Sequence, residues 1–438
     1  MSIPPRTKSA GARALAAEVL QRVFSEDAFA AATLSHALSH SALQAKDKGL
    51  ATELVYGSLR VAPFLVRWLG EYGKIKQSDH VLVSHLIVAG YQLAFLDRIP
   101  AHAAVDEAVS ALTEARGKQV AGFANAILRK LAADAVTRKV SYRDAVLSSC
   151  PSWLRKRLVR DVGEQEATAL LVPVESPRPY VRFLRHAPLP AWTAEQCTAV
   201  AVPAHMFRFD GGGDPRQHPE FEQGAFVVQE LGAALVGYAL GVAQGERVLD
   251  VCAGRGQKTM ILAEAVGPSG EVVATDLHAN KVSSLKAEAL RLGLSVSAEV
   301  WDWTTPPPDK WRGHFDRVLV DAPCTGVGTL RRRPEIMRRL SPDAPARLAE
   351  LQWSILSSAA LTVRPGGVLL FATCSVLQEE GPALVSRLCE GGAFEPTQPV
   401  SEADVALRAE GESVPAMTHL LPLRHGTDGY FVARLKKR

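Results

Sequence analysis

The chain has 438 residues, 47% hydrophobic and 22% charged, with a formal net charge of +4. That length allows two or three domains with substantial cores, and the composition excludes a broadly disordered chain. The weak basic excess is compatible with a nucleic-acid partner without establishing one, so local clusters of charge carry that question.

The opening stretch "MSIPPRTKSAGARALAAEV" is basic but has no continuous apolar segment before a cleavage site, which argues against a secretory leader. From residue 10 to about 140 the apolar positions fall at helical spacing. Leu15, Val19 and Val23 form one line, with Ala16, Leu20 and Phe24 one step behind. Ala104, Val105, Ala108, Val109 and Leu112 form a second stripe, and Phe123, Ile127, Leu128 and Leu131 a third. Pro100 stands just before one of these helices, where proline is tolerated. The spacing predicts an all-α domain over 1–141.

Residues 142–225 read as a small mixed α/β connector module. "SWLRKRLVRDVGEQEATALL" is basic and helical at its start, "PRPYVRFLRH" and "MFRFD" suggest short strands, and "DGGGDPRQHP" is a loop by composition. From 226 to 438 strands and helices alternate. "ERVLDVCAG", "GEVVATDL", "SAEVWDW", "FDRVLVDAP" and "GGVLLFATC" are predicted strands; "QKTMILAEAV", "ANKVSSLKAEALRLGL" and roughly 342–363 are predicted helices. This alternation predicts a Rossmann-like, mostly parallel sheet covered on both faces. The "HGTDG" turn near the end predicts a terminal antiparallel hairpin. No apolar run approaches the roughly 18 residues of a membrane span.

Cys150, Cys197, Cys252, Cys324, Cys374 and Cys389 are dispersed, with no Cys-x-x-Cys pair. That argues against a zinc site and a disulfide scaffold, so no metal is expected and a reducing, cytoplasmic setting fits.

Ligands of a doubly wound sheet bind beyond the carboxyl ends of its strands. Asp250 to Gly256, Asp276, Asp302, Asp321 and Cys374 all fall at such ends. "DVCAGRGQKT" is not a Walker A loop, because Gln257 precedes Lys258. It is not a full dinucleotide fingerprint either, because Thr259 stands at the third glycine position. What remains is a tight turn in which Gly254 and Gly256 permit unusual backbone angles, followed by a helix N-terminus. Asp276, about 20 residues further on, suits a ribose, and Asp302 could reach an adenine edge. An adenosine ligand bearing a carboxylate, such as S-adenosylmethionine, fits this incomplete motif. Its amino-acid end would meet the helix N-terminus and Lys258.

"DAPCTG" and "FATCS" place Cys324 and Cys374 at the ends of two apolar runs. On chemistry alone either could be a nucleophile, activated by a lowered thiol pKa. "TLRRRPEIMRR", with Arg331, Arg332, Arg333, Arg338 and Arg339, directly follows the first of these motifs and suggests phosphate contacts. "LRKRLVRD" is a second basic patch, as well explained by solvation as by RNA.

The stretches "DVCAGRGQKT", "ATDL", "DAPCTGVGTLRRRPEI", "ELQWSILSSAALTVRPGGVLLFATCSV" and "TDGYFVARL" resemble S-adenosylmethionine-dependent RNA cytosine-5 methyltransferases. More narrowly, they resemble the bacterial Fmu/Sun (RsmB-type) enzymes of small-subunit ribosomal RNA. "DKGLATELVYGSLR" and "RIPAHAAVDEAV" followed by "GFANAILRKL" are similar to that subfamily's helical domain, itself like the antitermination factor NusB. The resemblance implies that Cys374 attacks carbon 6 of the cytosine, that Cys324 assists release, and that Asp321 engages the base and the cofactor. It implies a cofactor loop of Cys252, Ala253, Gly254, Arg255, Gly256, Gln257 and Lys258, in which Gly254, Arg255 and Gln257 depart from the usual Cys-Ala-Ala-Pro-Gly-Gly-Lys. A monomer acting on RNA is expected. A dehydrogenase, a DNA methyltransferase, a transfer-RNA enzyme and a non-catalytic RNA-binding factor are the competing readings.

Overall fold

The computed structural model describes residues 11–173, 178–201, 203–398 and 416–438. The leader expectation rests partly on residues 1–10, outside those ranges. Among the described residues no helix is long and apolar enough to cross a membrane. The chain forms two compact units. One reaches to Arg155 and also takes in Leu330–Arg339; the other comprises Lys156–Thr329 and Leu340–Arg438.

The first unit is helical: α1 (Ala12–Ser25), α2 (Ala30–Ser39), α3 (Ala45–Gly70), α4 (His80–Phe95), α5 (Ala101–Arg116), α6 (Lys118–Arg138) and α7 (Tyr142–Ser149). Leu15, Ala16, Val19, Leu20, Val23 and Phe24 are all buried, as their spacing requires. α4 is apolar nearly all round and forms the centre, with Leu86, Ile87, Val88 and Ala89 buried. The third predicted stripe needs one correction. Phe123 is exposed, and Ala121 and Ala124 join Ile127, Leu128 and Leu131 on the buried face instead. A ring one position off the stripe points out of a bundle whose contacts are filled by alanine. Asp79 and Ser141 cap α4 and α7 by accepting from Leu82 N and Asp144 N.

α8 (Ser152–Leu171), interrupted at Gly163 where φ is 81°, carries the chain into the second unit at Lys156. A small antiparallel sheet follows, of β1 (Tyr180–Phe183), β2 (Cys197–Ala199), β3 (Met206–Phe209) and β4 (Phe226–Val228), in the order β2-β3-β1-β4. α9 (Ala191–Gln196) and α10 (Pro219–Glu222) lie between its strands in sequence, and the expected 210–219 loop contains a single 3₁₀ turn at Pro215–Gln217. Phe183, Phe209 and Phe226 fill its core.

The large sheet is built from β5 (Arg247–Asp250), β6 (Glu271–Asp276), β7 (Ser297–Val300), β8 (Phe315–Asp321), β9 (Val363–Thr373), β10 (Phe394–Pro396), β11 (Met417–Leu420) and β12 (Tyr430–Lys437). Their order is β10-β12-β9-β8-β5-β6-β7, with β11 also on β12. The five strands from β9 to β7 are parallel; β12 runs against β9, β10 and β11 and forms the antiparallel end. Both faces are covered. Val248, Leu319, Leu370 and Ala372 pack on the side of α11 (Leu231–Ala239) and α12 (Gln257–Val266). Their neighbours Leu249, Val318, Val320, Leu369 and Phe371 pack on the opposite side, with α14 (Ala344–Ala360) and α15 (Pro382–Glu390). That two-residue alternation is the pleat of a doubly covered sheet. α13 (Ala279–Arg291) connects β6 to β7. Strand succession reverses between β5 and β8, so the crevice of the fold opens beyond their carboxyl ends.

Candidate active site

The turn after β5 is shaped by two glycines. Gly254 and Gly256 have φ of 60° and 87°, angles that a side chain disfavours. A Cβ on Gly256 would lie 2.7 Å from Leu285 Cγ and 2.9 Å from Met260 Cε, so that glycine lets the turn close onto α12 and α13. A Cβ on Gly254 would meet nothing within 4 Å, which leaves bare backbone facing open space. Asp276, at the end of β6, braces the turn. Its Oδ2 accepts from Gly254 N at 3.0 Å and its Oδ1 from His278 N at 2.9 Å, with Lys281 Nζ at 3.3 Å. Ala253 N donates to Thr275 O at 2.8 Å. Gln257 faces away from the turn: its Nε2 donates to Val228 O at 3.1 Å, and its carbonyl accepts from Gln229 Nε2. Arg255 is exposed. Asp302 lies two residues past the end of β7 and is exposed. The Thr304 hydroxyl and N–H bond its Oδ1 and hold its carboxyl below the usual range.

Three carboxylates surround Cys252 at the strand ends: burial raises its thiol pKa, and Asp250, Asp321 and Asp276 raise it further. Asp250 is 1% exposed. Thr259 Oγ1 donates to its Oδ2 at 2.7 Å, while its Oδ1 has no protein partner. Lys258 Nζ donates to Asp321 Oδ2 at 2.7 Å. Burial pulls the Lys258 ammonium down, but Asp321 outweighs it and the net shift is upward. An acid-rich pocket with an orphaned buried carboxylate oxygen and an open glycine backbone fits an adenosine ligand that carries a sulfonium and an ammonium group.

Asp250 gives a test by pH. Burial pushes its pKa from 3.8 up to about 7. The folded chain therefore holds a proton there that the unfolded chain releases, and Asp250's contribution to stability falls as pH rises from about 4 to about 7. Asp250→Asn keeps an acceptor for Thr259 and removes that loss. Without cofactor, the variant is expected to melt above the parent at pH 8 and to differ little at pH 4. The gap should approach ~4 kcal/mol at most, from roughly three units at 1.36 kcal/mol each. Parallel melting curves at both pH values would show that the carboxyl is not held protonated.

β8 and β9 are adjacent and parallel, with Asp321 opposite Ala372. Both continue into loops that Ala322 N→Ala372 O (2.9 Å) and Gly328 N→Cys374 O (3.0 Å) hold together. Cys324 and Cys374 meet there, Sγ to Sγ at 3.2 Å. The hydrogen bond with Cys374 raises the Cys324 thiol pKa well above its ordinary value; burial, Cys374 and Glu380 raise it further. Cys150, Cys197 and Cys389 lie elsewhere, and burial pushes the first two up to about 11. None of the six cysteines is in a disulfide.

The arginine run belongs to the helical unit. Glu335 is 1% exposed and accepts from Ala30 N at 3.2 Å, while Arg60 donates to Arg331 O at 2.6 Å. The Arg338 guanidinium lies 4.3 Å from the Phe24 ring centroid. That of Arg339 lies 4.5 Å from Phe29 and donates to Ala28 O at 2.7 Å. These two side chains bind protein. Arg331 and Arg332 are half-buried, and Arg333 and Arg338 are exposed. Glu380 is a buried site group outside the residues expected to bind cofactor or substrate.

The sheet order, the glycine turn and the acids beside it define a Rossmann-like methyltransferase domain. Residues 237–436 match the family model for 16S rRNA methyltransferase RsmB/F, and residues 10–133 match the NusB family. Ribosomal RNA small subunit methyltransferase B of Erwinia tasmaniensis is 31% identical, over 98% of this chain and 100% of that protein. In fold, the chain is similar to the crystal structure of PH0851 (TM-score 0.83, 22% identity, 99% of this chain and 100% of that one). It is also similar to NSun6 from Pyrococcus horikoshii with SFG (TM-score 0.57, 17% identity, 66% and 98%). The chain belongs to the RsmB/F family of small-subunit rRNA methyltransferases, with a NusB-type helical region and S-adenosylmethionine as cofactor.

Proposed function

We propose that this chain methylates carbon 5 of a cytosine in 16S ribosomal RNA through a covalent Cys374–C6 adduct that Cys324 helps to release. The observation that carries this reading is the thiol pair. The sulfurs are 3.2 Å apart, close enough to pass a proton between them; the raised pKa of Cys324 suits it to hold that proton, and the resemblance of the Thr-Cys-Ser motif assigns the attack to Cys374. Carbon 5 of cytosine is a poor nucleophile until a thiolate adds at carbon 6 and turns the ring into an enamine. Asp321 hydrogen-bonds or protonates the ring to draw electrons away from carbon 6. The cofactor, when bound, supplies an electrophilic methyl group. In the release step the carbon 6–sulfur bond breaks, Cys324 gives its proton to the departing Cys374 sulfur across 3.2 Å, and the Cys324 thiolate so formed takes up the carbon 5 proton. Asp276, the Gly254 backbone and the start of α12 hold the cofactor, and the exposed Arg333 and Arg338 are the members of the run suited to phosphate. The site of action is the cytoplasm, where ribosomal RNA is assembled.

Bisulfite mapping of RNA from a strain lacking the gene tests the reading. A cytosine in 16S rRNA is expected to lose protection and regain it with the wild-type gene but not with Cys374→Ala. Unchanged 16S rRNA with a newly unprotected transfer-RNA cytosine would move the substrate to transfer RNA.

A further inference from the structure

Glu380 is fully buried, in the 3₁₀ turn Gln378–Glu380 between β9 and α15. Its carboxylate accepts four hydrogen bonds. Oε1 takes Thr325 N at 2.8 Å and Gln352 Nε2 at 3.1 Å; Oε2 takes Ser375 Oγ at 2.6 Å and the Thr325 hydroxyl. These partners are distributed in a way that packing alone does not require. Thr325 follows Cys324 in sequence, and Ser375 follows Cys374. The residues preceding the two cysteines are tied less directly, Pro323 through Gln352 and Thr373 to the Glu380 backbone. Gln352 Nε2 also donates to Pro323 O at 2.9 Å, and Thr373 Oγ1 donates to the Glu380 carbonyl at 3.2 Å. Each cysteine is thus bracketed on both sides by bonds that converge on one residue. Thr325, Ser375, Thr373 and Gln352 are themselves buried, so water does not compete for these bonds.

We propose that Glu380 is the positioning residue that fixes the distance and orientation of the two active-site thiols by clamping the Cys324 loop to the Cys374 loop. It touches neither substrate nor sulfur; it acts through Thr325 and Ser375. The proposal rests on the two-thiol reading above. Displacement of reacting groups by about 1 Å costs on the order of 100-fold in rate, so a loosened clamp is felt at the chemistry before it is felt at binding. Glutamine can occupy the same place. Its carbonyl would accept from Thr325 N and Gln352, and its amide would donate to the two hydroxyls, which rotate to accept. Alanine supplies neither arm.

The test reads thiol separation directly. Diamide takes two electrons and two protons from a pair of thiols, leaving a disulfide and the reduced hydrazine, and peptide mapping quantifies the Cys324–Cys374 product. Glu380→Ala is expected to slow formation of that disulfide roughly 10-fold or more. It should lower single-turnover methyl transfer by roughly 10- to 100-fold, with KM for cofactor within about threefold. Glu380→Gln should recover most of both rates. Cross-linking of Glu380→Ala at the wild-type rate would overturn the proposal. If Glu380→Ala does not fold, Ser375→Ala, which removes one arm and keeps the carboxylate, decides: a slowed cross-link supports the clamp and an unchanged one sinks it. A Cys324→Ala protein that forms no covalent RNA adduct would refute the two-thiol reading instead, and the disulfide rate would still report whether Glu380 sets the separation.

Discussion

Cys324→Ala is expected to accumulate as a covalent complex with its RNA, whereas Cys374→Ala should lose both methyl transfer and attachment. The asymmetry follows from the roles proposed for the two sulfurs. Removing the nucleophile deletes the only route to the activated ring, so the methylation rate should fall roughly 10⁴-fold or more. Removing Cys324 leaves addition and methylation open but takes away the proton donor 3.2 Å from the departing sulfur. Positioned proton transfer is worth about 10²–10⁴-fold, and here that loss would fall on the release step. RNA retained through a denaturing gel, with one methyl group on the attached cytosine, is the expected signature. The double variant should behave like Cys374→Ala, since no adduct is made to be trapped. Trapping by Cys374→Ala and silence from Cys324→Ala would assign the attack to Cys324.

What the sequence revealed, it revealed through local pattern. The five parallel strands were legible because each is a short apolar run bounded by glycine or an acid, and α1 because Leu15, Val19 and Val23 repeat at helical spacing. Asp250, Asp276, Asp321 and Cys374 could be gathered at one edge because a parallel sheet sends every strand's carboxyl end the same way. What stayed hidden depends on contacts distant in sequence. That the Cys324 and Cys374 loops touch follows from β8 and β9 being neighbours, which strand patterns do not state. The bonds of Glu380 to Thr325 span 55 positions and leave no local trace. That Arg338 and Arg339 lie against aromatic rings was not legible in their basic run. Their aromatic partners Phe24 and Phe29 lie some 310 positions earlier in the chain. In the small sheet, β2 and β4 have only three residues each, too few to show alternation.

The ion pair of Lys258 with Asp321 separates a structural role from a chemical one. Asp321→Asn keeps an oxygen to accept from Lys258 Nζ but loses the charge and the exchangeable proton that would act on the cytosine ring. Adduct formation by this variant should slow by about 10²–10⁴-fold, the range of positioned acid–base help, while its melting temperature moves little. Lys258→Met does the reverse. It strands the Asp321 carboxylate among Asp250 and Asp276, and breaking this partly buried pair should cost about 1–3 kcal/mol of stability in the absence of cofactor. The two effects share one interaction, so the doubly substituted chain should be more stable than the sum of the single losses predicts. Adduct formation and melting curves on all four proteins decide between the roles. An Asp321→Asn chain that forms adduct at the wild-type rate would reduce Asp321 to a counter-ion for Lys258. The activation of the base would then have to come from another group at the ends of β8 and β9.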